Sequence, residues 1–134
     1  MGSGTTYETY LDPDQTLSIG GEKIIYQVKG AKSRIYTTDM EAVQDLALGD
    51  GVRTDGVLTS GLVIQEAINK GVPIKPVGAP VYYEPLCAAS DRARPGSAAF
   101  AKKVGELFEA MHKDGTLTKL SIKWFGLDIT KKIK

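Results

Sequence analysis

The chain has 134 residues, room for one domain with a core of its own. Seventeen basic against sixteen acidic side chains leave a net charge of +1, without the basic excess that nucleic-acid binding shows. A lone Cys87 and a lone His112 exclude an intrachain disulfide and a cysteine-built metal site, and no apolar run approaches the roughly 20 residues that span a bilayer.

Met1-Gly2-Ser3 runs straight into a helix start with no secretory leader. Thr5-Thr6-Tyr7-Glu8 fits a capping box, in which a threonine hydroxyl accepts a free backbone N–H and Glu8 reaches back. A short helix to Leu11 follows, stopped by Asp12-Pro13-Asp14. Gly20-Gly21 and Gly30 bracket Ile24-Ile25-Tyr26-Gln27-Val28, a strand or an extended loop. Ser33-Arg34-Ile35-Tyr36-Thr37 alternates as a strand does.

Thr38-Asp39-Met40-Glu41 is a second capping box, opening a helix that Gly49 closes. Asp55-Gly56-Val57-Leu58 reads as a short buried strand. Thr59 or Ser60 then caps a helix carrying Leu62, Ile64, Ala67 and Ile68, which ends at Gly71. Ile74-Lys75-Pro76-Val77 and Leu86-Cys87-Ala88-Ala89 are further strand candidates, and prolines at 73, 76, 80 and 85 assign them to edges or irregular stretches. Cys87 reads as a small packed hydrophobe. Ser97 is placed to cap the strongest helix, whose stripe of Phe100, Val104, Leu107, Phe108 and Met111 reads as core; His112 falls at its dipole-favoured end. A last helix runs from Thr116 to Phe125 and stops at Gly126, ahead of the basic tail Lys131-Lys132-Ile133-Lys134, a solvated end. Alternating strand and helix predict an α/β domain with a mostly parallel sheet flanked by helices.

Ligands of such sheets gather where strands feed helix starts. Two places qualify. The Gly4-Thr5-Thr6 turn offers unpaired N–H groups, threonine hydroxyls and close backbone access, which suits a carboxylate or phosphate. Thr59-Ser60-Gly61 is the second. Glu84 stands in the irregular stretch Tyr82-Tyr83-Glu84-Pro85 and is a candidate for ligand contact. No Walker-type loop, nucleophile elbow or metal-ligand spacing is present, and no cofactor is implied.

In order along the chain, Gly4-Thr5-Thr6-Tyr7-Glu8-Thr9-Tyr10-Leu11, Thr37-Thr38-Asp39-Met40-Glu41-Ala42-Val43-Gln44-Asp45-Leu46, Arg53-Thr54-Asp55-Gly56-Val57-Leu58, Val77-Gly78-Ala79-Pro80-Val81-Tyr82-Tyr83-Glu84-Pro85, Asp114-Gly115-Thr116-Leu117 and Lys123-Trp124-Phe125-Gly126 resemble motifs of one family. It is the type II periplasmic solute-binding proteins of ABC importers, in the branch that carries polar amino acids. The resemblance covers almost the whole chain. It implies residues 1–85 as the second ligand-binding lobe of a clamp, lacking its first strand, and 86–134 as the hinge return strand and C-terminal helices.

By resemblance, Thr5, Thr6 and Tyr7 meet an anionic group of a small polar or amino-acid-like ligand, Thr59 and Ser60 line the opposite wall, and Glu84 lies near the hinge. Family members often place an acid for the ligand's α-ammonium five residues beyond Asp55, where this chain has Ser60; that implies a ligand whose cation is blocked, displaced or absent. The resemblance further implies a periplasmic or extracellular protein with importer membrane subunits as partners. It also implies that either the absent first lobe or another copy of the chain completes it. It implies binding rather than catalysis. A ligand-free, self-associating fragment is the alternative, with a cyclohexadienyl-dehydratase-like enzyme, whose acid would be Glu84, further behind.

Overall fold

A computed structural model describes residues 1–131, so the tail beyond Lys131 lies outside the described residues. The chain divides after Glu84 into two compact units, Met1–Glu84 and Pro85–Lys134.

The first unit begins with α1, Thr6–Leu11, which ends at Asp12 in extended backbone ahead of Pro13. Its buried residue is Tyr10, 2% exposed. The Tyr10 phenol oxygen accepts the backbone N–H of Gln27 at 2.8 Å, and its ring stacks on Tyr26 at 5.1 Å between centroids. Tyr26 in turn accepts the Leu17 N–H at 2.7 Å. Between these tyrosines, β1, Ser18–Ile19, and β2, Glu22–Lys23, pair antiparallel. Gly20 and Gly21 join them with φ of 60° and 79°, the two left-handed positions that a tight two-residue hairpin turn requires.

α2, Asp39–Leu46, opens on a complete capping box: Glu41 N–H donates to Thr38 Oγ1 at 3.3 Å, and the Glu41 carboxylate accepts the Thr38 N–H at 3.2 Å. Its Ala42 and Val43 are fully buried, and it packs against α3, Gly61–Asn69. Ser60 caps α3 by accepting the Leu62 N–H at 3.2 Å.

The mostly parallel sheet does not form among the described residues. Its trace is a single parallel bridge between Gly2 and Tyr36, with Ser3 N–H to Tyr36 O at 2.9 Å and Tyr36 N–H to Met1 O at 3.0 Å. The three residues ahead of Gly4 supply one bridge and no ladder. Without a ladder, Asp55–Leu58, Ile74–Val77 and Leu86–Ala89 stay outside any strand, and pairing is confined to the local hairpin. Sheet pairing is non-local, so the alternation of a segment leaves its partner unspecified.

The second unit holds α4, Ser97–Lys113, packed against α5, Thr116–Phe125. Ser97 does not cap α4. Gly96 takes the cap position at φ 80°, and the Ser97 hydroxyl pairs with that of Ser90 at 2.9 Å. The α4 stripe is helical but not core: Phe100 is 62% exposed, Leu107 and Phe108 are exposed, and no α4 residue is buried. Cys87 is exposed rather than packed. After Gly126 the chain folds back, and the buried Ser121 hydroxyl donates to Leu127 O at 2.7 Å and accepts the Ile129 N–H at 2.9 Å.

Thr38→Ala removes one half of the α2 capping box and is expected to lower unfolding free energy by about 1 kcal/mol. Urea denaturation of the two proteins checks this, as a lower midpoint at unchanged slope. Tyr10→Phe strands the Gln27 N–H and is expected to cost about the same.

Candidate functional site

The start of α1 differs from a simple capping box. Thr5 holds the cap position, but its hydroxyl turns away and donates to Gly2 O at 2.9 Å. Glu8 reaches back one residue further than expected, accepting the Gly4 N–H at 2.8 Å. Gly4 makes that turn at φ 67°, with open space where a side chain would project. The Glu8 N–H closes onto Thr5 O at 3.1 Å, leaving the N–H groups of Thr6 and Tyr7 as the first-turn donors without a helical acceptor.

Thr6 faces the far end of the unit. Its hydroxyl lies 2.9 Å from the Tyr82 phenol and bonds the Glu84 carboxylate. These contacts join α1 to residues more than seventy positions away in sequence. The Tyr82 ring sits 6.2 Å from Tyr7 and 5.4 Å from Tyr10, continuing the Tyr10–Tyr26 stack. A row of four tyrosines therefore backs the helix start.

Protons in this cluster can be assigned. An ionised carboxylate only accepts, so Thr6 donates to Glu84; its single hydrogen being spent, Tyr82 donates to Thr6. Burial and the charge of Glu84 push the Tyr82 phenol far above its ordinary range, and its contact with Thr6 opposes them. Burial, then the charges of Glu84 and Asp39, raise the Tyr7 phenol, while Ser60 acts on it in the opposite direction as a hydrogen-bonding neighbour. Both phenols are held protonated, and the negative charge of the cluster belongs to carboxylates.

Six residues were expected at the site. Thr6, Tyr7 and Glu84 converge directly with Tyr82, and Ser60 approaches Tyr7. Thr5 is adjacent in sequence but bonds Gly2. Thr59 is 9% exposed, and its buried hydroxyl oxygen has no hydrogen-bond partner among the described residues. Tyr82 was not singled out from the sequence, and Tyr10 and Asp39 were read only as helix residues. Asp39 accepts the Gly2 N–H at 2.6 Å, tying the α2 start to the segment that leads into α1. The only sequence signal for Tyr82 is the density of tyrosine beside Glu84.

No group of three or more potential metal ligands occurs among the described residues. A separate open groove of about 220 Å³ lies within the second unit, lined by Leu86, Cys87, Phe100, Val104 and Phe108. It is apolar and shares no residue with the tyrosine cluster.

Alkaline titration followed by tyrosinate absorbance tests the electrostatics. Tyr7 and Tyr82 are expected to ionise above the ordinary phenol range. A phenol whose pKa is raised by folding favours the folded state while protonated. That stability is fully present below about pH 10, the unfolded value, and is lost as pH rises above it. Melting temperature is therefore expected to fall above that pH, and less steeply in Tyr82→Phe.

No protein-family model matches the chain, and no solved structure matches it significantly. Curated proteins do. The chain is 30% identical over 131 residues to the L-cystine-binding protein TcyJ of Escherichia coli (strain K12), covering 98% of this chain and 42% of that protein. It is 33% identical over 126 residues to the probable amino-acid-binding protein YxeM of Bacillus subtilis (strain 168), covering 89% of this chain and 39% of that protein. It is 36% identical over 109 residues to the putative amino-acid ABC transporter-binding protein PatH of Vibrio harveyi, covering 77% of this chain and 40% of that protein. All three relatives are named for binding amino acids, one of them as a putative ABC transporter-binding protein, and the chain spans about two fifths of the length of those it matches.

Proposed function

We propose that this chain is part of the amino-acid-binding component of an ABC importer, acting outside the cytoplasmic membrane. The observation that carries the reading is similarity to three proteins named for amino-acid binding, one of them over 98% of the chain. Among the described residues no helix is long and apolar enough to cross a membrane, which agrees with a binding component that hands its ligand to separate membrane subunits.

In this reading the ligand carboxylate meets the start of α1. The hydroxyl hydrogens of Thr5 and Thr6 are already committed, to Gly2 O and to Glu84. The anion contact therefore falls to the backbone N–H groups of Thr6 and Tyr7, a hydrogen-bonding role; a helix of six residues contributes little dipole. The opposite wall in this reading is Thr59 and Ser60. Glu84 closes the side where the first unit ends. All three relatives are named as binding proteins, so binding is favoured over a dehydratase use of Glu84.

A polypeptide partner belongs to the same proposal. Phe100, Leu107 and Phe108 of α4 and Trp124 of α5 are exposed, large apolar side chains that a partner surface would cover. Another copy of the chain or the remaining sequence of a longer binding protein would supply that surface.

Binding by this chain alone is expected to be weak, with Kd on the order of 1 mM, because one wall of a site gives up half the contacts. A thermal-shift panel of L-amino acids, L-cystine included, tests the function. A ligand at ten times its Kd stabilises by about 1.4 kcal/mol, a readable rise in melting temperature. A panel that leaves the melting temperature flat up to tens of millimolar, confirmed by flat calorimetry, would sink the proposal. Light scattering across concentration tests the partner surface: growth in mass with concentration supports pairing of copies, and a constant monomer mass removes it.

A further inference from the structure

We infer that the Glu84 carboxylate, together with the phenol oxygen of Tyr82, seats the ammonium group of the ligand. The inference rests on the amino-acid reading above and gives the site its second pole.

Hydrogen bookkeeping leads there. The relay Tyr82 O–H to Thr6 O–H to Glu84 spends both hydroxyl hydrogens inside the cluster. What remains is acceptor capacity: the second carboxylate oxygen of Glu84, which has no hydrogen-bond partner among the described residues, and the lone pairs of the Tyr82 oxygen. An ammonium group is the complement, with three donors and no acceptor. A carboxylate in the same place would meet only lone pairs and a like charge.

Charge agrees with hydrogen bonding. Among the described residues of the first unit the ion pairs are Arg53 with Asp45 and Lys70 with Glu66, and neither involves Glu84. Its charge is uncompensated by any lysine or arginine among the described residues. Asp39 adds to the negative potential at Tyr7, and both neighbouring phenols stay neutral. Ser60, with a hydroxyl engaged in capping α3, supplies no counter-charge. Glu84 is exposed, so a cation reaches it from solvent. The two poles are then separate: backbone donors of Thr6 and Tyr7 for the carboxylate, and acceptors of Glu84 and Tyr82 for the ammonium.

The test uses methylammonium chloride as the probe on the full chain, followed by NMR at Thr6 and Tyr82, with sodium chloride at equal ionic strength as control. The expected result is a saturable shift with methylammonium beyond the sodium control. Glu84→Gln should weaken it about three- to fivefold, the worth of one partly exposed charge pair. Tyr82→Phe, which keeps the ring and removes the acceptor, should weaken it as well. Identical curves in sodium chloride, or an unaltered curve in a folded Glu84→Gln, overturn the inference. If Glu84→Gln loses its signal dispersion, an unaltered curve in Tyr82→Phe overturns it instead. Amino acids that bind while methylammonium does not also overturn it and leave the proposed function standing. A methylammonium response with a flat amino-acid panel upholds this cation site and removes the proposed function.

Discussion

Tyr10 holds two distant stretches of chain to one short helix. Its buried phenol takes the Gln27 N–H, its ring packs on Tyr26, and its other side meets Tyr82. A helix of six residues has too few hydrogen bonds to stand alone in water. α1 is therefore kept helical, and kept in place, by this tertiary anchor. The position of Thr6 and Tyr7 follows from it, since both are carried on the same helix. So does the arrival of Glu84, two residues beyond a tyrosine fixed against the same ring.

That arrangement divides one small site into a donor part and an acceptor part. Threonine hydroxyls at a helix start invite the reading that they donate to an anion. Here both are used within the protein, one on the Gly2 carbonyl and one on Glu84. In the proposed reading, donation to a ligand falls to backbone N–H groups, and the side chains present oxygen. A zwitterion matches such a division, which agrees with the amino-acid-binding proteins that the chain resembles in sequence.

What could be read from the sequence was what is local. The Thr38–Glu41 capping box formed as expected because both partners lie within one turn. The Thr5–Glu8 box did not form, because Gly2 O, outside the four-residue pattern, takes the Thr5 hydroxyl and Glu8 reaches past Thr5 to the Gly4 N–H. Ser60 capped α3 through a contact two residues long. The sheet was not legible, since alternation in Ser33–Thr37 marks a face but names no partner, and just Tyr36 found one. The α4 stripe gave the helix and misjudged its surroundings, because periodicity reports which face is apolar and not whether anything lies on it. At the site, Thr6, Tyr7 and Ser60 carried signals of their own, while Tyr82 acquires its meaning from a contact across 76 positions.

The four rings of Tyr7, Tyr82, Tyr10 and Tyr26, spaced 6.2, 5.4 and 5.1 Å in sequence of contact, lie close enough to act as a coupled chromophore. Their near-ultraviolet circular dichroism belongs to the row rather than to any one ring. A group settling against the Tyr7 end changes the optical signal of the whole row, as far as the opposite end at Tyr26. Trp124, the single tryptophan, stands in the other unit and absorbs at longer wavelength. The protein thus carries an intrinsic optical reporter of its own site, readable without any label.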